Sequence, residues 1–301
     1  MSDPAEFTVI VTDTARDARD LLIEASGLTA TRVSNAMASG AAWLKTEHGF
    51  RRIRRRSAKL SAGDELFLNY DESVLSQTSA PAELIKDGGR WSVWIKPSGM
   101  RAQGSKWGDH TTLGRYAENH LEPQRESFIV HRLDLAASGL MMLAHDKKAA
   151  AHLSGQFAAR TVGKRYHAIV HGKFPGQAEP QQYLGEIDGK ASQTEASRLR
   201  FDPESNRSVL QVSILTGRKH QIRRHLADAG FPIVGDRLYG KEKPGSDFTL
   251  SSKGTAPLLD KLMSDPGFFA EDLCLIASRL TFDDPDTGER IKCECIPQEW
   301  L

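Results

Sequence analysis

Cysteine is scarce in this chain, net charge is almost absent, and no hydrophobic run is long. Its 301 residues include three cysteines, Cys274, Cys293 and Cys295. That odd number, at that spacing, fits no four-ligand zinc pattern and offers no disulfide framework. All three read as reduced thiols, with Cys293 and Cys295 expected on one strand, facing the same way. No apolar stretch approaches the roughly 20 residues of a membrane-spanning helix. The start, Met1 to Glu6, lacks the basic residues and apolar run of a signal peptide. The expectation is a cytoplasmic protein with no membrane association. The formal net charge is +1, so global charge announces no nucleic-acid partner.

Local charge does. Arg51, Arg52, Arg54, Arg55, Arg56 and Lys59 form one basic run. Lys164-Arg165 forms a second, and Arg218-Lys219-His220 with Arg223-Arg224-His225 a third. Patches of this kind, rather than net charge, track a phosphate backbone. The competing reading is a set of solvated faces balanced by acids elsewhere. With 39% hydrophobic and 26% charged residues, the chain has an ordinary globular composition, and its length suits about two domains.

Residues 1–75 read as a small α/β domain. Asp17–Ser26 is predicted as a helix, Thr29 or Thr31 as the cap of a second helix running to Ala38, and Trp43–Lys45 and Leu66–Tyr70 as strands. Residues 76–83 read as a linker and 84–301 as a larger domain. Within it, strands are predicted at Trp91–Ile95, Tyr166–Val170, Ser192–Phe201 and Ser208–Leu215. Helices are predicted from Lys147, capped by Asp146, to Ala159, and from Lys219 to Ala229. Strands outnumber helices and do not alternate with them one for one. That predicts an α+β fold with a mixed, mostly antiparallel central sheet and flanking helices. A variable-looking insertion begins near Lys241 and includes Ala256–Pro266.

The segment Phe128–Asp146 concentrates the chemistry. Two apolar runs, Phe128–Val130 and Leu140–Ala144, have strand character. Between them lie His131, Arg132 and Asp134, then a turn of small residues. A carboxylate between two buried strands is costly unless it is paired or used. Arg223, at the edge of the packed face of the last predicted helix, is a candidate partner. Tyr166 has the strand parity of Ala168 and Val170 and is expected to face the interior or a cleft. Taken alone, Asp134 more often signals a structural ion pair and Tyr166 a core tyrosine. His145, His152, His167 and His171 follow no compact ligand spacing, so no metal site is expected.

The segment His131-Arg132-Leu133-Asp134, with its Ser138-Gly139-Leu140 turn, resembles the signature of the RluA-type family of RNA pseudouridine synthases. Lys164-Arg165-Tyr166 and Thr216–Arg223 resemble that family's next two motifs. Lys96-Pro97-Ser98-Gly99 and Gly235-Asp236, followed by Leu238-Tyr239-Gly240, fit as well. The ordered set reverses the bland reading of Asp134. Departures occur at Leu135-Ala136-Ala137, where family members often carry Lys-Asp-Thr, and at Leu275-Ile276-Ala277 and Asp284-Pro285. Residues 1–75 are similar, more weakly, to the ribosomal S-four-type RNA-binding domain.

The resemblance implies a pseudouridine synthase fold and an isomerase that detaches uracil from ribose, turns it and rejoins it through carbon 5. It implies catalytic roles for Asp134, Tyr166 and Arg223. Arg132 would fill the place of a base flipped into the pocket. RNA contacts are expected at His131, Lys164, Arg218, Arg51, Arg52, Arg54 and Arg55. No cofactor is implied, and a monomer without an obligate protein partner is expected. Large-subunit ribosomal RNA is the first expected substrate and transfer RNA the second. Other readings are a non-catalytic RNA-binding assembly factor and a hydrolase using Asp134.

Overall fold

A computed structural model describes residues 3–176, 179–240 and 272–296. The insertion expected from Lys241 onward therefore lies outside the described residues. The chain divides into two compact units, Met1–Ser79 with Gln103–His120, and Ala80–Ala102 with Leu121–Leu301.

The first unit contains β1 (Ala5–Ile10), α1 (Ala18–Ser26), α2 (Ala30–Ala38), β2 (Ala42–Thr46), β3 (Gly49–Arg52), β4 (Glu65–Tyr70), α3 (Glu72–Leu75) and α4 (Leu113–His120). Its strands form an antiparallel sheet in the order β1-β4-β2-β3. The Thr29 side chain accepts from the Arg32 N–H and starts α2, as the sequence predicts. Leu21, Leu22, Val33 and Met37 from the two helices pack with Leu44, Leu66 and Leu68 from the sheet, which removes both apolar faces from water.

Gln103–His120, expected in the larger domain, groups with this smaller unit instead. Specific bonds explain why. The Trp43 Nε1–H donates to the Lys106 carbonyl at 3.0 Å, and Arg54 Nη2 lies 2.5 Å from Asp109 Oδ2. The expected linker is also shorter than 76–83, because Glu83 already belongs to a strand.

The second unit contains β5 (Glu83–Asp87), β6 (Trp91–Lys96), β7 (Phe128–Ile129), β8 (Ser138–Ala144), α5 (Lys147–Ala158), β9 (Gly163–His171), β10 (Gln181–Ile187), β11 (Lys190–Asp202), β12 (Arg207–Ile214), α6 (Gln221–Asp228), β13 (Leu275–Asp283) and β14 (Arg290–Glu294). The sheet runs β10-β11-β12-β9-β13-β8-β6-β5, with β14 on β13 and β7 on β8. Among the described strands, only β13 and β8 pair in parallel, through Ile276 with Ser138 and Ala277 with Gly139. The α+β, mostly antiparallel architecture is thus present. Asp146 caps α5 by accepting from the Ala149 N–H at 2.9 Å. Ala149 and Leu153 then pack on Trp91, Val93, Leu140 and Met142.

Gly139 is where the Asp134 loop enters the sheet. Its φ is +107°, and a Cβ there would lie 2.4 Å from the Ala277 carbonyl oxygen, so no other residue lets β8 approach β13 this closely. The three cysteines are free, and burial pushes the Cys274 thiol up to about 11 and that of Cys295 to about 12. Cys293 and Cys295 pack on one core, as their parity predicts. No helix among the described residues is long and apolar enough to cross a membrane.

Candidate active site

Asp134 sits on the loop between β7 and β8, and the chain following β6 clamps that loop. The Gly99 N–H donates to the Leu135 carbonyl at 2.9 Å, and the Ser98 hydroxyl donates to the Ala136 carbonyl at 2.9 Å. Lys96, fully buried, sends its ammonium to the carbonyls of Pro97 and Met100 at 2.9 Å and of Leu135 at 3.4 Å. Burial brings the Lys96 ammonium down to about 7, and the charges of Asp134 and Asp272 oppose that fall. Leu133 and Ala137, buried on either side of Asp134, anchor the loop from below. The Lys-Pro-Ser-Gly segment thus holds the backbone that carries the carboxylate.

Arg223, buried on α6, lies with Nη1 3.5 Å from Asp134 Oδ2. Its stronger partner is Asp236. Arg223 Nε donates to Oδ2 at 2.8 Å and Nη2 to Oδ1 at 2.7 Å, a bidentate pair in which the Asp236 side chain is wholly buried. Asp236 also accepts from the N–H groups of Leu238 and Tyr239, each at 3.0 Å. Burial alone would raise the Asp236 carboxyl, but Arg223 and those N–H groups outweigh it and hold it below the usual carboxylate range. Burial disfavours the Arg223 charge, yet Asp236 and then Asp134 raise its pKa overall. Asp236 therefore fixes the guanidinium and leaves one of its edges for Asp134.

Tyr166 on β9 is 8% exposed and shares the buried face of Ala168 and Val170, as its parity predicts. Burial, and then the charge of Asp134, raise its phenol well above the ordinary value. A protonated phenol therefore stands beside the carboxylate. His220, directly before α6, completes the cluster. It adopts left-handed backbone angles, φ 55° and ψ 28°, which cost a non-glycine residue about 1–2 kcal/mol. Its Nε2 is 3.9 Å from Asp134 Oδ1, and its Nδ1 is 3.0 Å from the Tyr239 hydroxyl. Asp134, Tyr166, His220 and Arg223 line one cleft of about 970 Å³, room enough for a nucleotide and its neighbours.

Of the expected RNA-contacting residues, His131, Arg132, Lys164 and Arg218 line the same cleft. Arg132 is exposed there. Lys164 is partly buried, which lowers its pKa. His131 differs from these in charge. Its ring accepts the Met142 N–H at 2.9 Å and stacks on Phe157 with centroids 4.6 Å apart. Burial, with a smaller push from Lys164, drives it down to about 3, so it is an uncharged pin of the β7–β8 hairpin rather than a cation for phosphate.

The basic run of the first unit divides in the same way. Arg51 and Arg55 are exposed. Arg52 and Arg54 are not free for phosphate, because both are bound to Asp109, at 3.2 and 2.5 Å. Arg52 also lies 4.1 Å over the Trp43 ring and donates to the Ser105 carbonyl at 2.6 Å. The histidines outside the site have separate partners: His145 with Ser92, His152 with Gln156 and His167 with Ser278.

Asp236, His220, Lys96 and Tyr239 did not stand out as site residues in the sequence. The signals were present in Gly235-Asp236 and Lys96-Pro97-Ser98-Gly99, but which atom each side chain meets is a property of the folded chain.

Residues 90–228 match the family model described as RNA pseudouridylate synthase. The dual-specificity RNA pseudouridine synthase RluA of Vibrio vulnificus is 32% identical over 176 residues, covering 52% of this chain and 68% of that protein. The ribosomal large subunit pseudouridine synthase D of Zymomonas mobilis is 27% identical over 190 residues, covering 57% and 60%. The mitochondrial tRNA pseudouridine(32) synthase of Saccharomyces cerevisiae is 32% identical over 220 residues, covering 65% and 46%. The matched part thus spans about half to two thirds of the length of these relatives. The solved structure of human RNA pseudouridylate synthase domain containing 1 shares the fold, with a TM-score of 0.54 at 22% identity, covering 75% of this chain and 87% of that one. The chain belongs to the RluA-type family of RNA pseudouridine synthases, which are isomerases.

Proposed function

We propose that this chain isomerises uridine in RNA to pseudouridine, with Asp134 as the group that acts on the ribose. The observation that carries the reading is a loop-held carboxylate, 3.5 Å from a buried arginine and beside a buried tyrosine, in a cleft large enough for a flipped nucleotide. The reaction breaks the bond from ribose carbon 1′ to base nitrogen 1 and makes one from carbon 1′ to carbon 5. Carbon 5 loses its proton and nitrogen 1 gains one. An ionised carboxylate serves this chemistry either by bonding to carbon 1′ or by taking the carbon 2′ proton.

Arg223 aims Asp134, since its other edge is fixed by Asp236. Tyr166 stacks against the uracil. Its raised phenol keeps its own proton, so any base role at carbon 5 requires that proton to leave at the same time. Arg132, exposed at the cleft, takes the place of the flipped base. Lys164 and Arg218 line the walls along which phosphates would run. In the first unit, Arg51 and Arg55 are among the exposed cations available to RNA.

The substrate proposed first is large-subunit ribosomal RNA, with transfer RNA second. The relatives named above carry both kinds of name. Mapping pseudouridines in total RNA from cells with and without this gene tests the reading. Loss of at least one site in the deletion, restored by the wild-type gene and not by Asp134→Asn, supports it. An unchanged map returns the chain to the non-catalytic assembly-factor reading.

A further inference from the structure

His220 is held in its left-handed conformation from both sides of its ring. Tyr239 lies at Nδ1. The Tyr239 ring stands nearly edge-on to it, with centroids 5.7 Å apart at 73°. Tyr239 is itself fixed, because its N–H donates to Asp236 Oδ1 at 3.0 Å and its ring lies 5.2 Å from the Arg223 guanidinium carbon. Contacts therefore run from Asp134 through Arg223, Asp236, Tyr239 and His220 and return to Asp134. Each carboxylate oxygen of Asp134 faces a different donor: Arg223 at Oδ2 and His220 at Oδ1.

The carboxylate in front of Nε2 favours the tautomer with the proton on Nε2, which leaves Nδ1 to accept from the Tyr239 hydroxyl. Burial lowers the ring's pKa, against the opposing charge of Asp134, so the neutral ring with a single N–H is the resting form near neutral pH. The separation of 3.9 Å is too long for a direct hydrogen bond. It does allow one oxygen to sit about 2.8 Å from both groups. Such an oxygen must donate to Asp134 Oδ1 and accept from His220 Nε2–H. A ribose 2′-hydroxyl does both, and it distinguishes RNA from DNA. It is also attached to the carbon next to the one whose bond is broken, so a carboxylate working at carbon 1′ or carbon 2′ has this hydroxyl at its side.

We propose that His220, oriented by Tyr239, contacts the 2′-hydroxyl of the target ribose and makes the site selective for a ribonucleotide over a deoxyribonucleotide. The proposal rests on the pseudouridine synthase reading. Its test uses a synthetic RNA hairpin carrying the uridine whose modification depends on this gene. A second hairpin is identical except for 2′-deoxyuridine at that position. The full chain is assayed as wild type, His220→Phe, His220→Gln and Tyr239→Phe, with melting temperatures recorded for each.

Wild type should convert the ribose hairpin and bind the deoxy hairpin, measured as a competitor, about tenfold more weakly. His220→Phe should lower the single-turnover rate by about 10- to 100-fold and erase the binding difference between the two hairpins. His220→Gln, which keeps an N–H donor, should recover part of both effects, and Tyr239→Phe should fall between wild type and His220→Phe. A folded His220→Phe that still discriminates tenfold overturns the proposal while leaving the enzyme reading intact. A wild-type protein that converts neither hairpin overturns the enzyme reading, and this proposal with it.

Discussion

Arg223 shows how a single residue ties stability to the site. It is bonded twice to Asp236, whose side chain has no exposure, and only approached by Asp134. Removing one member of a buried pair strands the other, which typically costs about 3–5 kcal/mol. Arg223→Met should therefore lower the urea midpoint markedly as well as abolish activity. Arg223→Lys should keep charge but lose the fork geometry, and its activity should fall at least 100-fold. If Arg223→Lys stays within a few-fold of wild type, the fork is not what aims Asp134. Asp134, Tyr166 and Arg223 were legible before the fold because their motifs are ordered along the chain. The Asp236 pairing was not, because the short segment between α6 and Gly235-Asp236 gives no hint of which way the carboxylate turns. His131 adjoins Arg132 in the sequence and lines the cleft with it; what the sequence did not show is that its ring accepts the Met142 N–H and stacks on Phe157.

At the scale of elements, the β7–β8 loop is set by a glycine at one end and a neutral histidine at the other. Gly139→Ala forces a Cβ to 2.4 Å from the Ala277 carbonyl oxygen and to 2.5 Å from its nitrogen, at positive φ. The strands must part, so the variant should be destabilised by more than about 1 kcal/mol and lose activity with it, as chemical denaturation would register. A fully stable Gly139→Ala would mean that the parallel pairing is looser than described. His131 gives a pH signature. Its folded pKa is about 3, below the ordinary 6.5. The unfolded chain therefore takes up the proton first as pH falls. The contribution is complete above about pH 6.5 and is lost progressively toward about pH 3, at no more than about 1.4 kcal/mol per pH unit. Urea midpoints between pH 7 and 4 should decline less steeply for His131→Gln than for wild type; parallel declines would contradict the assignment. Strand parity placed Tyr166, and composition placed the caps of α2 and α5. The sequence did not predict β1, β3, β5, β10, β13, α3 or α4, whose apolar patterns are short and depend on partners distant in sequence.

At the scale of the molecule, the chain separates into a small unit with its own core and a larger unit that holds the cleft. The boundary near residue 80 was legible from polar and proline-containing sequence. The assignment of Gln103–His120 to the small unit was not, because it depends on Arg54, Trp43 and Asp109 meeting in space. This distinguishes two kinds of arginine in one basic run. Arg51→Ala and Arg55→Ala should weaken RNA binding across sequences and reduce the salt slope of log Kd by close to one each, without changing the melting temperature. Arg54→Ala should lower the melting temperature instead, since it removes one of the two arginines that pair with the half-buried Asp109. The central claim is that Asp134 does chemistry on uridine in RNA. Release of tritium from carbon 5 of labelled uridine tests it most directly, in RNA taken from cells lacking this gene, with wild type compared with Asp134→Asn. Wild type should release tritium stoichiometrically, and Asp134→Asn should lose at least about 1,000-fold in rate while still melting like wild type. Release by Asp134→Asn at a rate near that of wild type would contradict the claim.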